Sequence, residues 1–161
     1  MAVLIDNRQT KHKLHLDKIR QTAQDILNAL DCPDGELSIL FVDDPQIEIL
    51  NTKYLNRRKP TNVIAFPMQK GKFSNISPTL LGDVAISIDT AVKEGKKAGI
   101  GMEKRLTELL VHGVLHLLGY DHENNEQEAE KMERKSEALL KQFESTAVQH
   151  HSSGKKPIMD P

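Results

Sequence analysis

The chain has 161 residues, of which 38% are hydrophobic and 28% charged. This length fits one compact domain, and the composition excludes a disordered, collagen-like or membrane chain. Lys and Arg total 22 against 23 Asp and Glu, so the net charge of −1 excludes a global electrostatic pull toward nucleic acid or anionic lipid. Cys32 is the only cysteine, which excludes an internal disulfide and agrees with a reducing cytoplasm.

The first half of the chain predicts two strand–helix units. Apolar runs over residues 2–5 and 36–43 indicate strands. Apolar residues at helical spacing predict a helix over 16–30, with Asp17 as its cap, and a second helix is predicted over 45–54 because proline suits a first helical turn.

The second half begins with a basic loop over 56–62, which leads into a short edge strand over 63–66. The composition of 68–79 predicts an exposed loop, and 83–88 alternates well enough to form a strand that pairs with the edge strand as a hairpin. Three helices are then predicted over 89–98, with Asp89 as its cap, over 103–118 and over 126–143.

These elements predict an α+β fold with a small mixed sheet of about four strands packed against helices. We expect residues 1–144 to form a single domain and 145–161, which lack periodicity, to form a disordered tail. The N-terminus turns polar after five residues, and the most apolar stretch, 109–119, falls short of the roughly 20 residues that span a bilayer. We therefore expect a cytoplasmic protein with no membrane partner.

Three histidines, His112, His116 and His122, fall close together in the strongest predicted helix, over 103–118, and just after it. Positions four apart lie on one helix face, so His112 and His116 can direct two imidazoles to a single point. Gly119 can end the helix in a left-handed conformation and let His122 return toward that point. Three nitrogen ligands with no evident fourth protein ligand describe a catalytic zinc site, in which an open position activates water.

The segment HGVLHLLGYDH aligns with the metzincin motif HExxHxxGxxH in its three histidines and its glycine. The glutamate that serves as the base in metzincins is replaced by Gly113, which cannot transfer a proton. Glu108, one turn before His112, and Asp121 or Glu123 beside His122 are the alternatives for a base or for a partner that orients an imidazole. Each of them is also explained as a solvated charge at a helix end.

At these residues the chain resembles the YbeY family of bacterial endoribonucleases that mature ribosomal RNA. The similarity covers about residues 36–143 and includes three characteristic segments in the right order: LNTKYLNRRKPTNVIAFP, LLGDVAIS and HGVLHLLGYDH. The resemblance implies a single-strand-specific, metal-dependent RNase, commonly assigned zinc, that acts on the 3′ end of small-subunit (16S) ribosomal RNA and in ribosome quality control. It implies His112, His116 and His122 as metal ligands, with His116 also counted among the catalytic residues.

One departure from the family concerns an arginine considered important for activity, whose position is taken here by Leu55. The charge can have moved to Arg57 or Arg58, where a guanidinium would hold a phosphate bidentately and stabilise developing charge. Arg57 is the first candidate, Arg58 the second and Lys59 a weaker point charge. An ordinary solvated basic loop explains the same residues.

Further cations flank the predicted histidine helix and suit either an RNA-backbone patch or a solvated face: Lys93, Lys96, Lys97, Lys104 and Arg105. Tyr54 and Tyr120 are candidates for base stacking or for core packing. The sequence leaves two other functions open: a zincin-like peptidase with Glu108 as base, and a non-enzymatic ribosome-assembly factor with a structural metal. Imidazole ligands suit zinc, nickel or another divalent ion, and the oligomeric state is not encoded in a recognisable motif.

Overall fold

The structure, a computed structural model, describes residues 3–68, 79–120 and 126–154, with side chains of the last range described up to 144. Within these residues the chain forms four strands and five helices in the predicted order. Their bounds are β1 Val3–Asn7, α1 Leu16–Ala29, β2 Glu36–Val42, α2 Asp44–Leu55, β3 Val63–Pro67, β4 Leu80–Ser87, α3 Ile88–Ala98, α4 Gly101–Leu117 and α5 Glu126–Gly154. The predicted α+β class with a four-stranded mixed sheet is confirmed.

The sheet has the strand order β1-β2-β4-β3. Strand β2 pairs parallel with both β1 and β4, with Ile39 opposite Ile5 and Val84, while β3 pairs antiparallel with β4. Each parallel pair is joined by a connection that contains a helix, as parallel pairing requires, whereas β3 and β4 are consecutive. Both the predicted hairpin pairing and the predicted edge position of β3 are confirmed.

The two faces of the sheet carry different helices. On one face, helices α1, α3, α4 and α5 pack against β1, β2 and β4 in the main hydrophobic core. On the other face, Ile47 of α2 packs with Val42 and Ile64 in a small core that Phe66 flanks. Alternate residues of a strand point to opposite faces, so Ile64 and Phe66 of β3 face α2 while Val63 and Ala65 face the main core.

Helix α4 is the central helix of the main core. Seven of its apolar side chains are at most 3% exposed, namely Leu106, Leu109, Leu110, Val111, Val114, Leu115 and Leu117. Burial of an aliphatic side chain contributes roughly 1.5–3 kcal/mol, so this face fixes the helix firmly on the sheet. The histidines of α4 are therefore carried by one of the most strongly anchored elements of the fold.

Two predicted helix caps were wrong. Helix α1 begins after His15, and Asp17 lies in its first turn. Helix α3 begins after Ser87, whose Oγ accepts a hydrogen bond from the Thr90 N–H at 3.3 Å. The buried Asp89 carboxylate instead accepts a hydrogen bond from the Asp44 N–H at 2.9 Å, because α2 and α3 start at the same edge of the sheet.

Helix α2 is capped by Asp43, which the sequence had placed in the preceding strand. The Asp43 carboxylate accepts a hydrogen bond from the Gln46 N–H at 2.9 Å, and the Gln46 side chain accepts one from the Asp43 N–H at 3.0 Å. This reciprocal capping box satisfies two backbone donors and sets the start of the helix.

Helix α5 continues to Gly154, beyond the predicted end at residue 143. The first part of the predicted disordered tail, 145–154, therefore has a helical backbone, and 155–161 lie outside the described residues. The division into a domain over 1–144 and a tail over 145–161 stays a prediction. Among the helices that the structure describes, none combines the length and apolar character that a bilayer crossing requires.

Candidate metal centre and RNA cleft

The imidazoles of His112 and His116 meet on one face of α4. Their Nε2 atoms are 3.1 Å apart, and the ring centroids lie 4.6 Å apart with an interplanar angle of 74°. Both side chains are half-buried, whereas the three residues between them, Gly113, Val114 and Leu115, are buried in the core. The predicted convergence of two imidazoles four residues apart is therefore observed.

The geometry of this pair fits two ligands of one metal ion. Zinc binds histidine nitrogen at about 2.0–2.1 Å, so two nitrogens separated by 3.1 Å would subtend about 100° at one ion, near the tetrahedral angle. The same separation also suits a hydrogen bond in which one ring donates to the other, depending on the tautomer. In either case the two nitrogens that would bind a metal already lie side by side.

The end of α4 follows the predicted geometry. Gly119 has φ +100°, and its N–H donates to the His116 carbonyl at 3.0 Å while the Tyr120 N–H donates to the Leu115 carbonyl at 3.1 Å. This pair of bonds is a Schellman motif, which closes the helix and turns the chain back.

The third predicted ligand, His122, lies outside the described residues, together with Asp121 and Glu123. Within the part of the chain that the structure describes, no group of three or more His, Cys, Asp or Glu residues is arranged to hold a metal ion. The three-histidine, zincin-like site therefore stays a prediction. Two of its three histidines, His112 and His116, are seen together.

A cleft of about 450 Å³ opens beside His112, between α4 and α5. One wall comes from Arg105, Glu108 and His112 of α4, and Asn62 closes one end where β3 begins. The opposite wall is part of α5, with Glu133 among its residues. The cleft places Glu108 in the same cavity as His112, as their spacing of one helical turn predicted.

A network of hydrogen bonds holds these polar groups. Arg105 donates from Nε to Glu94 at 2.9 Å and from Nη1 to Glu108 at 2.7 Å. The Asn62 amide donates to both oxygens of Glu94 at 3.3 Å. Burial alone would lower the pKa of the Arg105 guanidinium, but the bonds to Glu108 and Glu94 raise it. Arg105 is thus a permanent cation that fixes Glu108 beside His112 and joins α3 to α4.

The structure also shows what the sequence missed. The sequence did not single out Glu94, and it placed Asn62 only at the end of the predicted basic loop. Neither could be assigned to the site, because their contacts join residues far apart in the chain. Of the cations considered for an RNA patch, Arg105 is engaged in this network, Lys93 pairs with Asp44 at 3.0 Å and Lys104 with Glu144 at 2.7 Å.

The loop that carries Arg57 and Arg58 is held against α2, and both residues are exposed. The described lining of the cleft beside His112 includes neither of them. Asn62 is four positions after Arg58, a span of at most about 14 Å between their Cα atoms. The loop therefore leads directly to the cleft, and a catalytic role for Arg57 or Arg58 stays a prediction.

Gly113, at the position of the metzincin glutamate, has a packing role. A Cβ at this position would lie 2.7 Å from Val84 Cγ1 and 3.1 Å from Val84 Cγ2, so the helix backbone rests directly on β4. A larger side chain at residue 113 would collide with the sheet. The absent glutamate thus has a structural reason, and Glu108, which would have to replace it, is bonded to Arg105.

Together these features define an α+β protein whose central helix presents an imidazole pair suited to a metal ion, next to a polar cleft. The sequence profile of the family described as endoribonuclease YbeY matches residues 4–144. The chain therefore belongs to the YbeY family of endoribonucleases, which are metal-dependent hydrolases that act on RNA. This membership confirms the resemblance found in the sequence and the prediction of an enzyme.

Individual relatives agree with this assignment. The chain is 50% identical over 137 residues to endoribonuclease YbeY of Syntrophotalea carbinolica, covering 84% of this chain and 91% of the relative. It is 44% identical over 141 residues to endoribonuclease YbeY of Syntrophus aciditrophicus, covering 87% and 88%. A solution structure of a Thermotoga maritima protein shares the fold with a TM-score of 0.64 and 21% identity, covering 98% of this chain and 99% of that one.

Proposed function

We propose that this chain is a single-strand-specific metallo-endoribonuclease that hydrolyses phosphodiester bonds of ribosomal RNA in the cytoplasm. The observation that carries the proposal is the convergence of the His112 and His116 Nε2 atoms at 3.1 Å in a chain of the endoribonuclease family. The proposed reaction is maturation of the 3′ end of small-subunit ribosomal RNA, with a further part in ribosome quality control. The partners are then single-stranded ribosomal RNA and the small ribosomal subunit.

The proposed metal ligands are His112, His116 and His122, with one Zn²⁺ ion as the first candidate and nickel or another divalent ion as alternatives. Such an ion supplies Lewis acidity toward a phosphate oxygen and activates water near neutral pH. The rigid placement of α4 supports this assignment, because two ligands that are already aligned lose little conformational freedom on binding.

The other proposed roles belong to the chain's own side chains. Glu108, fixed by Arg105 at 2.7 Å, accepts a proton or a hydrogen bond in the cleft beside His112. Arg57 or Arg58 reaches the scissile phosphate from the loop that ends at Asn62 and stabilises charge on its oxygens. Arg105 orients Glu108 through their hydrogen bond and does not contact the substrate itself.

The test is cleavage of a single-stranded fragment of ribosomal RNA by metal-reconstituted protein, with metal content determined on the same samples. His116→Ala is expected to lose bound metal and cleavage together, and the wild-type protein is expected to lose cleavage on chelation and regain it on metal addition. His15→Ala, which removes an exposed histidine at the start of α1, is the matched control and should cleave normally.

Arg57→Ala and Arg58→Ala separate the two arginine candidates, with Arg8→Ala, at an exposed arginine beyond β1, as their control. The variant that lacks the working arginine should retain metal and lose at least about tenfold in kcat/KM. Cleavage by metal-free His116→Ala would overturn the proposal. A metal-loaded wild type that cleaves no RNA, while His116→Ala melts at a much lower temperature, would favour the assembly factor with a structural metal.

A further inference from the structure

The near-neutral net charge of the chain conceals a strongly basic segment. Residues 49–82 contain no Asp or Glu and six Lys or Arg residues, while the rest of the chain has 16 cations and 23 acids. Four of the six cations, Lys53, Arg57, Arg58 and Lys59, lie in the described part of the segment, between the end of α2 and the start of β3. This part of the surface therefore carries a local excess of positive charge, which attracts polyanions.

The basic loop is fixed to the helix that precedes it. The side chain of Asn51, only 1% exposed, donates a hydrogen bond to the Lys59 carbonyl at 2.9 Å. The Thr52 hydroxyl donates to the Arg57 carbonyl at 3.3 Å, and the Arg57 N–H donates to the Asn51 carbonyl at 3.2 Å. These bonds hold the loop backbone in one arrangement, so its cations are presented at defined points.

An exposed aromatic ring stands at the beginning of this loop. Tyr54, in the last turn of α2, is 56% exposed although it is a large apolar side chain. Its ring packs edge-to-face on Phe66 of β3, with centroids 5.3 Å apart at 76°, and the exposed Lys53 Nζ lies 5.2 Å from its centroid. Phe66 in turn packs on the small core below α2, so Tyr54 is supported from beneath and open to solvent.

The loop connects this ring to the histidine cleft. Tyr54 lies on the face of the sheet that α2 covers, whereas Asn62, at the other end of the loop, lines the cleft beside His112. Strand β3 is the edge strand, so the loop passes around the edge of the sheet from one face to the other. The Tyr54 ring, the cations of the loop and the cleft beside His112 thus follow one another along the course of the loop.

We propose that Tyr54 is a stacking platform for one base of single-stranded RNA, with Arg57, Arg58 and Lys59 neutralising the phosphates that lead from it to the cleft. The inference rests on the proposed RNase function and adds a substrate-binding subsite remote from the histidines. Aromatic rings bind bases of any sequence because each base has a π-face, and nearby cations hold the backbone. An RNA duplex keeps its bases stacked on one another, so the platform selects single strands.

The binding test uses metal-loaded full-length protein and a short unstructured oligoribonucleotide, with fluorescence anisotropy as the readout and the integrity of the RNA checked on a gel. Tyr54→Leu, which removes the π-face and keeps an apolar side chain, should raise Kd about tenfold. Tyr54→Phe should bind like wild type. Leu4→Ser, at a residue 61% exposed on the opposite edge strand, is the control and should also bind like wild type.

An abasic strand of the same length separates stacking from charge. Wild type and Tyr54→Leu should bind this strand equally, because it offers phosphates and no base. Three results would each overturn the inference. The first is an unchanged Kd of Tyr54→Leu for RNA, and the second is an equal loss of affinity of this variant for the abasic strand. The third is the same loss of affinity of Tyr54→Leu for an acidic polypeptide. Thermal melts of the variants should coincide with wild type, since the ring is mostly exposed.

The cleavage assay keeps this inference distinct from the proposed function. If wild type cleaves ribosomal RNA and Tyr54→Leu binds and cleaves equally well, the platform is refuted while the RNase function stands. If wild type binds RNA through Tyr54 yet cleaves none, the platform stands and the RNase function is refuted.

Discussion

At the scale of single residues, Gly113 shows that packing can determine the residue type at a position even next to a predicted metal ligand. It lies between a histidine and the buried Val114, and its missing Cβ lets α4 rest on the side chain of Val84. In an exposed helix, a change from Gly to Ala stabilises by about 1 kcal/mol through helix propensity. Here the contact with Val84 opposes that gain. A loss of stability in Gly113→Ala would therefore show that the contact is close.

We therefore expect Gly113→Ala to destabilise the protein by about 1–3 kcal/mol in urea denaturation, because the new methyl group would lie 2.7 Å from Val84 Cγ1. In a Val84→Ala background the same change should cost much less, since the colliding methyl groups are gone. A stabilising Gly113→Ala would show that α4 can move away from β4 without loss, and would contradict the close packing described above.

At the scale of elements, the starts of α2 and α3 are tied together by Asp44 in the first turn of α2. Its carboxylate accepts hydrogen bonds from the Ser87 hydroxyl at 2.5 Å, the Thr90 hydroxyl at 2.6 Å and the Lys93 ammonium at 3.0 Å. Partial burial works to raise the pKa of Asp44, but these bonds outweigh it and lower the pKa below its usual value. The charged carboxylate is therefore stabilised in the folded protein.

A lowered folded-state pKa means that the unfolded chain takes up the proton first as the pH falls, so stability is lost on acidification. The contribution of Asp44 should be fully present above the unfolded pKa of about 3.9 and should disappear as the pH falls through the lower folded value. Asp44→Asn should cost about 1–2 kcal/mol at neutral pH. The difference from wild type should shrink below about pH 4 in denaturation curves.

The control for this prediction is Asp17→Asn, at a fully exposed side chain in the first turn of α1. Its stability difference from wild type should stay near zero over the same pH range. If the loss of stability in Asp44→Asn did not depend on pH, the hydrogen bonds to Asp44 would not stabilise its charged form, and the prediction would be wrong.

The elements also show how far the sequence leads. Apolar runs, helical spacing and turn or cap residues together located each strand and helix in the part of the chain that the structure describes, because most of these elements bury one face and leave that face in the sequence pattern. The caps at Asp17 and Asp89 were wrong, since a local pattern cannot tell a carboxylate that caps its own helix from one that binds the start of another. For the same reason the imidazole pair within α4 was predictable, whereas the links from Arg105 to Glu94 and from Glu94 to Asn62 were not.

At the scale of the whole molecule, the distribution of charge matters more than its sum. The net charge of −1 excludes only a global electrostatic pull toward nucleic acid, and every acid of the chain lies outside residues 49–82. Three of the five cations that flank the histidine helix, Lys93, Lys104 and Arg105, are less available than the sequence suggested, because they pair with acids. RNA attraction should therefore come mainly from the basic segment.

This distribution predicts a moderate salt dependence of RNA binding. For single strands, log K falls with log salt concentration with a slope of about −0.7 per neutralised phosphate, so contacts from Arg57, Arg58 and Lys59 give a slope near −2. Lys59→Gln should reduce the magnitude of the slope by about 0.7. Lys18→Gln, at an exposed lysine of α1 that pairs with Glu103, should leave it unchanged. Equal slopes for Lys59→Gln and wild type, or a change in Lys18→Gln, would place the bound strand on another surface, because the slope counts the phosphates that the protein neutralises.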